Sequence, residues 1–358
     1  MIKVKKHLEA INRTLPKEPS RMFKYRLDRN ERNEPFSEKF IDQVKKKMSG
    51  ELFMVYPEMD SVYEKMASWL KVDPAKLVLQ SGSEQAIKSI FEAFINPGET
   101  VLLHFPGFAM YEVYCNMFQA KVVKQSYDSG LNFDWEAYKG MITKDIRMVV
   151  VENPNGFLGV APSPEELKAI VDAASDKGAI ALVDEAYFHF HDETFIDWVD
   201  RYDNLVVART FSKAFGLAGL RAGYLVSQAP NIVSLKKVRP AYEMTAATAL
   251  LVCELIDNIK EVTAYTAATK RNLTELREGF RKLGIATSES KANFVAARLG
   301  EAAIHDELRR VLGEKNILVR RPFREESLKE WVRISTAPPK IQKVLLDELS
   351  KILQKVER

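Results

Sequence analysis

Arg209-Thr210-Phe211-Ser212-Lys213-Ala214-Phe215-Gly216-Leu217-Ala218-Gly219-Leu220-Arg221-Ala222-Gly223-Tyr224 lies downstream of the tetrapeptide Asp184-Glu185-Ala186-Tyr187, with Lys213 29 residues beyond Asp184. One lysine stands among hydroxyls and small residues, and an arginine follows it eight positions on. The upstream tetrapeptide adds an acid and a phenol three residues apart. The two segments together hold an amine, a carboxylate, a phenol and three side chains suited to a phosphate, Thr210, Ser212 and Arg221.

Working outward, short β-rich runs alternate with helical patterns from residue 77 onward. Strands are expected at Leu77–Leu79, Val101–Leu103, Lys121–Val123, Met148–Val151, Ala179–Val183, Leu205–Val207 and Tyr224–Val226. Near-continuous Val, Leu and Ile runs separated by helices imply a buried, mostly parallel central sheet flanked by helices, an α/β fold. Ligands in such sheets bind at the carboxyl ends of the strands. Asp184, the Asn153–Gly159 loop and the Thr210–Lys213 segment all fall just past strand ends. After about residue 240 the pattern changes to a long helical stretch before Gly284, strands at Phe294–Ala296, Ile317–Val319 and Trp331–Ser335, and a last amphipathic helix. The expected organisation is an N-terminal arm over 1–36, a large domain over 37–240 and a small α+β domain over 241–358, to which the arm contributes. Ser37 reads as the N-cap of a helix ending near Gly50.

The chemistry of these groups matches pyridoxal 5'-phosphate. Lys213 is the candidate Schiff-base amine. Asp184, ending an apolar strand, would face the pyridinium nitrogen, and Tyr187 would donate to the ring oxygen. Thr210, Ser212 and Arg221 would hold the phosphate. Gly82-Ser83-Glu84, at a strand-to-helix turn, supplies free amides and a helix dipole for the same anion. Phe108 is a candidate to stack on the ring. Arg320, Arg321, Arg324 and Arg333 form an arginine-rich set, and strand alternation puts Arg333 on one face with Trp331 and Ser335. Arginine there suits bidentate capture of a carboxylate or phosphate. His189 and His191 with Asp192 and Glu193 lack a third ligand at useful spacing, so no metal site is expected.

Composition narrows the class. A net charge of +4 over 358 residues does not argue for nucleic acid. The longest apolar run, Ala246–Cys253, is far short of a membrane span. The basic N-terminus has no apolar stretch behind it, so no secretory signal is expected. Cys115 and Cys253 are too few for a disulfide framework, and a cytoplasmic, reducing environment is expected.

Nearly the whole chain resembles the fold-type I pyridoxal-phosphate enzymes, specifically class I/II aminotransferases of the histidinol-phosphate aminotransferase type. The matching stretches are Leu27–Glu31, Val55-Tyr56-Pro57, Gly82-Ser83-Glu84, Pro106-Gly107-Phe108, Val183–Tyr187, the lysine segment, Val319-Arg320 and Val332-Arg333-Ile334. The resemblance implies a homodimer in which Tyr56 reaches the neighbouring subunit's cofactor phosphate. It implies that Arg333 holds the amino acid's carboxylate and that Arg320 helps hold a distal anionic group. The family's Asn-Pro-Asn-Asn-Pro-Thr-Gly loop reads Asn153-Pro154-Asn155-Gly156-Phe157-Leu158-Gly159 here. Gly156 falls where the family's ring-contacting asparagine sits. Either Asn155 reaches the ring oxygen from one position earlier, or the contact is absent. This departure argues against an authentic histidinol-phosphate enzyme.

The expected reaction is amino transfer between an amino acid and a keto or aldehyde acceptor, with Lys213 moving the α-proton as general base and acid. The competing enzyme is a phospho-amino-acid decarboxylase of the same fold, since the bond that breaks depends on how the arginines orient the substrate. A non-catalytic cofactor-binding regulator would need an added DNA-binding module, for which the fold leaves no residues.

Overall fold

The protein, seen in a computed structural model, is described over residues 2–9, 11, 20–323 and 325–356. In chain order its elements are β1 (Tyr25–Leu27), α1 (Glu38–Lys47), α2 (Met59–Leu70), β2 (Leu77–Gln80), α3 (Gly82–Phe94), β3 (Thr100–Phe105), α4 (Met110–Met117) and β4 (Lys121–Ser126). Next come α5 (Trp135–Gly140), β5 (Ile146–Glu152), α6 (Pro164–Lys177), β6 (Ile180–Asp184), β7 (Leu205–Thr210), β8 (Gly223–Ser227) and α7 (Ala229–Lys236). The chain closes with α8 (Ala246–Asp257), α9 (Lys260–Lys282), β9 (Phe294–Arg298), α10 (Ala302–Glu314), β10 (Ile317–Val319), β11 (Trp331–Ser335) and α11 (Pro339–Val356).

A seven-stranded sheet runs in the order β2-β8-β7-β6-β5-β3-β4, parallel except where β8 runs against β2 and β7. Apolar layers cover both faces, which is why its strands read as unbroken hydrophobic runs. Leu79, Val149, Val183 and Val207 face one layer, and Val78, Met148, Val150, Leu182 and Val206 the other. Ala86, Ile87, Ile90 and Phe91 anchor α3 in the second layer. Full burial contributes about 1.5–3 kcal/mol for each large apolar side chain, so the N-terminus of α3 is held firmly at the sheet edge.

The later elements build a second core from α9, α10, α11 and the antiparallel pair β9–β11. Here β1 pairs in parallel with β10, matching Tyr25 to Ile317 and Leu27 to Val319. The arm therefore belongs to this second body, and Pro16 and Pro19 lie outside the described residues. Val252 and Leu255 of α8 pack in the first core beside Phe40 and Met66, so the change of core falls at α9, which feeds both. Ser37 caps α1 by accepting from Phe40 N.

Candidate active site

Registry brings the polar strand ends to one edge. Glu152 of β5 pairs with Asp184 of β6, Asp184 with Ala208 of β7, Thr210 with Gly223 of β8, and Gly223 with Gln80 of β2. Over this edge opens a cleft of about 600 Å³. Lys213, Asp184, Tyr187, Thr210, Ser212, Arg221, Ser83, Glu84 and Phe108 line it from the large sheet, and Arg29, Arg320 and Arg333 from the second body.

One end of the cleft is a cup for an anion. Gly82 takes φ +87°, and a Cβ there would stand 2.6 Å from an Arg221 terminal nitrogen. Only glycine lets the turn into α3 and the guanidinium approach so closely. Arg221 itself donates to Ser212 Oγ at 3.4 Å and to Ala218 O at 3.3 Å. Thr210 Oγ1 accepts from Ser212 N at 3.1 Å, so both hydroxyls sit in the same turn. Guanidinium, hydroxyls and a helix N-terminus converge, the combination a phosphate monoester requires.

Asp184 is buried, and its two carboxylate oxygens are fixed by Tyr111 OH at 2.8 Å and Ala186 N at 3.0 Å. Burial raises its pKa to about 6, while the Tyr111 hydrogen bond works against that rise. Glu185 turns the other way and forms a buried ion pair with Arg209 at 2.8 Å. Arg209 also stacks 3.5 Å over the Phe188 ring, so it supports the sheet edge from behind. Tyr187 is buried, with its hydroxyl accepting from Asn30 Nδ2 at 2.8 Å.

Lys213 Nζ projects into the cleft and donates to Arg29 O at 3.0 Å. The residue keeps some exposure along the cavity wall, yet enclosure of its amine lowers the pKa to about 7, and the Arg333 and Arg221 charges add to the fall. A lysine so shifted has a substantial neutral, nucleophilic fraction near neutral pH.

Arg333 is 6% exposed and donates to Gly156 O at 2.6 Å and Asp28 O at 3.1 Å. Its Nε is buried without a partner. Burial first, and the Arg320 charge as well, bring its pKa down to about 10. Both guanidiniums lie near the Phe157 ring, at 5.1 Å for Arg320 and 5.5 Å for Arg333. Two cations held together on one aromatic ledge form an anion-seeking wall.

Three of the expected site residues stand elsewhere. Asn155 does not reach the cleft: its amide donates to Pro106 O at 2.8 Å and its oxygen accepts from Phe157 N and Leu158 N. That side chain is consumed in holding its own loop. Tyr56 is 75% exposed, stacks on Tyr242 at 4.4 Å, and lines a neighbouring groove that reaches Arg221 from the other side. Gly82 lies beneath the Arg221 guanidinium rather than in the cleft wall. Among the arginines, Arg321 is exposed and Arg324 lies outside the described residues. His189 sits in a 3₁₀ turn, packed between Trp69 and Phe215, not on a strand face with His191.

The residues the motifs did not single out are Glu152, Tyr111, Asn30 and Phe157. For Glu152 the signal was present, since an acid ends the apolar run Met148–Val151 just as Asp184 ends Ala179–Val183.

The model for aminotransferase class I and II matches residues 24–349. A histidinol-phosphate aminotransferase of Thermoanaerobacter sp. (strain X514) is 30% identical over 336 residues, covering 92% of this chain and 93% of that protein. Histidinol-phosphate aminotransferase 1 of Carboxydothermus hydrogenoformans is 31% identical, covering 96% of this chain and 98% of its own length. In fold, the histidinol-phosphate aminotransferase from Sinorhizobium meliloti, solved with pyridoxal-5'-phosphate, superposes with a TM-score of 0.84 at 21% identity over 93% of this chain and 91% of that one. The shared architecture is the fold type I arrangement, and with its mostly parallel sheet, its lysine and aspartate at the strand ends and a family match over most of its length, the chain belongs to the aminotransferase class I and II family.

Proposed function

We propose that this protein is a pyridoxal-5'-phosphate-dependent aminotransferase whose substrates carry a distal phosphate or carboxylate. The observation that carries the reading is a single cleft holding the Lys213 amine, the Asp184 carboxylate and the Arg221 cup. The donor set fits the cofactor group by group. Arg221, Ser212, Thr210 and the start of α3 would take the phosphate, Asp184 the ring nitrogen, Tyr187 the ring oxygen and Lys213 the aldehyde carbon. When bound, the cofactor supplies an electron sink for the substrate's α-carbon.

The chain's own residues supply the rest. Asp184, ionised above about pH 6 and held in place by Tyr111, would keep a proton on the ring nitrogen. Lys213 Nζ, free to lose its proton near pH 7, would take and return the substrate's α-proton as general base and acid. Asn30 fills one acceptor site of the Tyr187 hydroxyl, so the phenolic proton is left to point into the cleft. Arg333, with its unpartnered Nε, receives a carboxylate, and Arg320 a distal anion at the outer side of Phe157. The similarity to a histidinol-phosphate aminotransferase of Thermoanaerobacter supports a phosphate among the anions accepted.

We infer a homodimer as the working form. Phe53, Met54, Val55, Tyr56 and Tyr242 are exposed beside the groove that reaches Arg221, and an apolar patch of that kind suits burial against a second copy. Tyr56 would then serve the neighbour's phosphate cup. We also infer an arm over 1–36, a cofactor-holding unit over 37–240 and a substrate-facing unit over 241–358, with α9 bridging the last two. No helix among the described residues is long and apolar enough to cross a membrane, and the two free cysteines support a reducing, cytoplasmic setting.

The direct test is to load the protein with cofactor and incubate it with a panel of amino acids and phosphorylated amines. Conversion of the cofactor to its aminated form, without carbon dioxide release, is expected. Stoichiometric carbon dioxide release would move the assignment to decarboxylation.

A further inference from the structure

Glu152 ends β5 beside Asp184, its register partner on β6. The side chain is buried, and the residue forms part of the cleft wall. Its Oε1 accepts from Phe108 N and its Oε2 from Gly156 N, both at 2.6 Å. It thereby joins the two loops on which the cleft floor depends. That much is a structural clamp.

The glycines around it point to a further role. A Cβ on Gly107 would run into Oε1, and one on Gly156 would stand 2.9 Å from Oε2. The same Gly156 Cβ would lie 3.7 Å from the Tyr187 ring. The carboxyl of Glu152 therefore fills the volume beside Tyr187 into which a side chain at 156 would project. Gly156 presents no polar side chain there, and Asn155 has turned away.

Each carboxyl oxygen has a second site beyond the amide it already meets. The charged and titratable groups facing it are Asp184 from β6, Tyr111 from α4, His104 from β3, Tyr127 just after β4, Tyr138 from α5, Tyr187 beyond β6 and Arg333 from β11. Glu152 N donates to His104 Nε2 at 2.9 Å, so that ring nitrogen is an acceptor, and burial keeps the imidazole neutral, with a pKa of about 3. Burial, and then the Asp184 charge, push the Glu152 carboxyl up to about 8. The two amide hydrogen bonds and the Arg333 charge pull the other way, and the net rise favours the protonated carboxyl at neutral pH. Since the two amides occupy one site on each oxygen, the proton takes a remaining one.

We infer that Glu152 is a cofactor-contacting residue, its carboxyl held between Phe108 N and Gly156 N and donating, beside Tyr187, the hydrogen bond to the ring oxygen that Gly156 has no side chain to make. The inference rests on the cofactor reading above. It makes the pair Glu152/Gly156 an exchange of position: the polar group reaches the ring from the end of β5 instead of from the following loop.

The test uses the apo-protein titrated with pyridoxal 5'-phosphate, followed by visible absorbance, in wild type, Glu152→Ala, Gly156→Asn and the double variant. Loss of one ligand hydrogen bond corresponds to about tenfold weaker uptake in Glu152→Ala. The pH midpoint of the bound cofactor's visible band should rise as well, because a donor to an oxygen anion favours the anion. Gly156→Asn alone sets its side chain against the carboxyl and should also weaken uptake. The double variant, with an amide in the vacated space, should recover both affinity and midpoint. A double variant no better than the weaker single variant would overturn the inference, as would wild-type affinity and midpoint in Glu152→Ala. Should Glu152→Ala not fold, Glu152→Gln decides the matter. It keeps a donor and cannot ionise, so its affinity relative to wild type should climb as pH passes about 8, and a flat ratio would overturn the inference. A wild type that takes up no cofactor would overturn both this inference and the reading beneath it, whereas normal uptake with unaffected variants overturns this inference alone.

Discussion

The side-chain amide of Asn30 donates to the hydroxyl of Tyr187 at 2.8 Å, joining the N-terminal arm to the turn that follows β6, the strand ending at Asp184. Asn30 is fully buried at φ 57°, a left-handed conformation that asparagine tolerates better than most residues. Ser335 Oγ donates to its Oδ1 at 2.8 Å, and Asn293 Nδ2 donates to its carbonyl at 3.1 Å. One residue thus ties β11, the loop before β9 and the large sheet at the edge of the cleft.

Asn30→Ala should lower stability by about 1–3 kcal/mol, the usual loss when buried partners are left unpaired. Urea unfolding of the apo-protein measures this. Asn30→Asp should act differently: an added acceptor would draw the Tyr187 proton away from the cleft and alter the absorbance of bound cofactor. Unchanged stability in the first variant would show that the arm is held by other contacts.

Arg333 and Arg320 share the Phe157 ledge but differ in depth. Arg333→Ala removes two hydrogen bonds to carbonyls as well as the guanidinium, so it should raise the apparent Michaelis constant for every carboxylate substrate. The expected penalty is about 2–5 kcal/mol, by analogy with truncation of buried charge pairs. Arg320→Ala should chiefly penalise substrates with a distal phosphate or carboxylate. Steady-state kinetics on one neutral and one phosphorylated substrate checks the division, and equal losses on both substrates in both variants would refute it.

Uptake of cofactor needs the neutral form of the Lys213 amine. With the pKa lowered to about 7 by enclosure in the cleft, the uptake rate should reach a plateau above that pH and fall below it. An ordinary lysine would show a rate still climbing toward pH 10. The stability consequence has a definite sign. Between about pH 7 and the ordinary value of 10.5 the unfolded chain holds a proton that the folded chain has released, so this group favours the folded state increasingly as pH rises through that window. Stopped-flow mixing of apo-protein with cofactor across pH 6–10 distinguishes the two profiles.

Much of this site was legible because its chemistry demands particular residue types at strand ends. Lys213, Asp184, Tyr187 and Arg221 stand out on those grounds, and the sheet's apolar runs place them. Asn155 illustrates the limit: an asparagine aimed at a ligand and one satisfying its own loop's amides look alike in sequence. Only the fold shows that Phe157 N and Leu158 N claim its oxygen. β1 escaped notice for a related reason. Its three residues pair with Ile317–Val319 across the chain and carry no local periodicity. The helix α2 did have a readable pattern, with Val62 and Met66 one turn apart and both buried. Glu152 needed the Gly107 and Gly156 contacts to be recognised as more than a strand-terminal acid.

Lys213 is the amine proposed to bond the cofactor. Its most direct test is borohydride reduction of the protein loaded with pyridoxal 5'-phosphate, followed by proteolysis and mass mapping of the modified peptide. One pyridoxyl adduct per chain is expected, on Lys213, and none in Lys213→Ala. An adduct on another lysine, or no visible absorbance from cofactor after reconstitution, would contradict it.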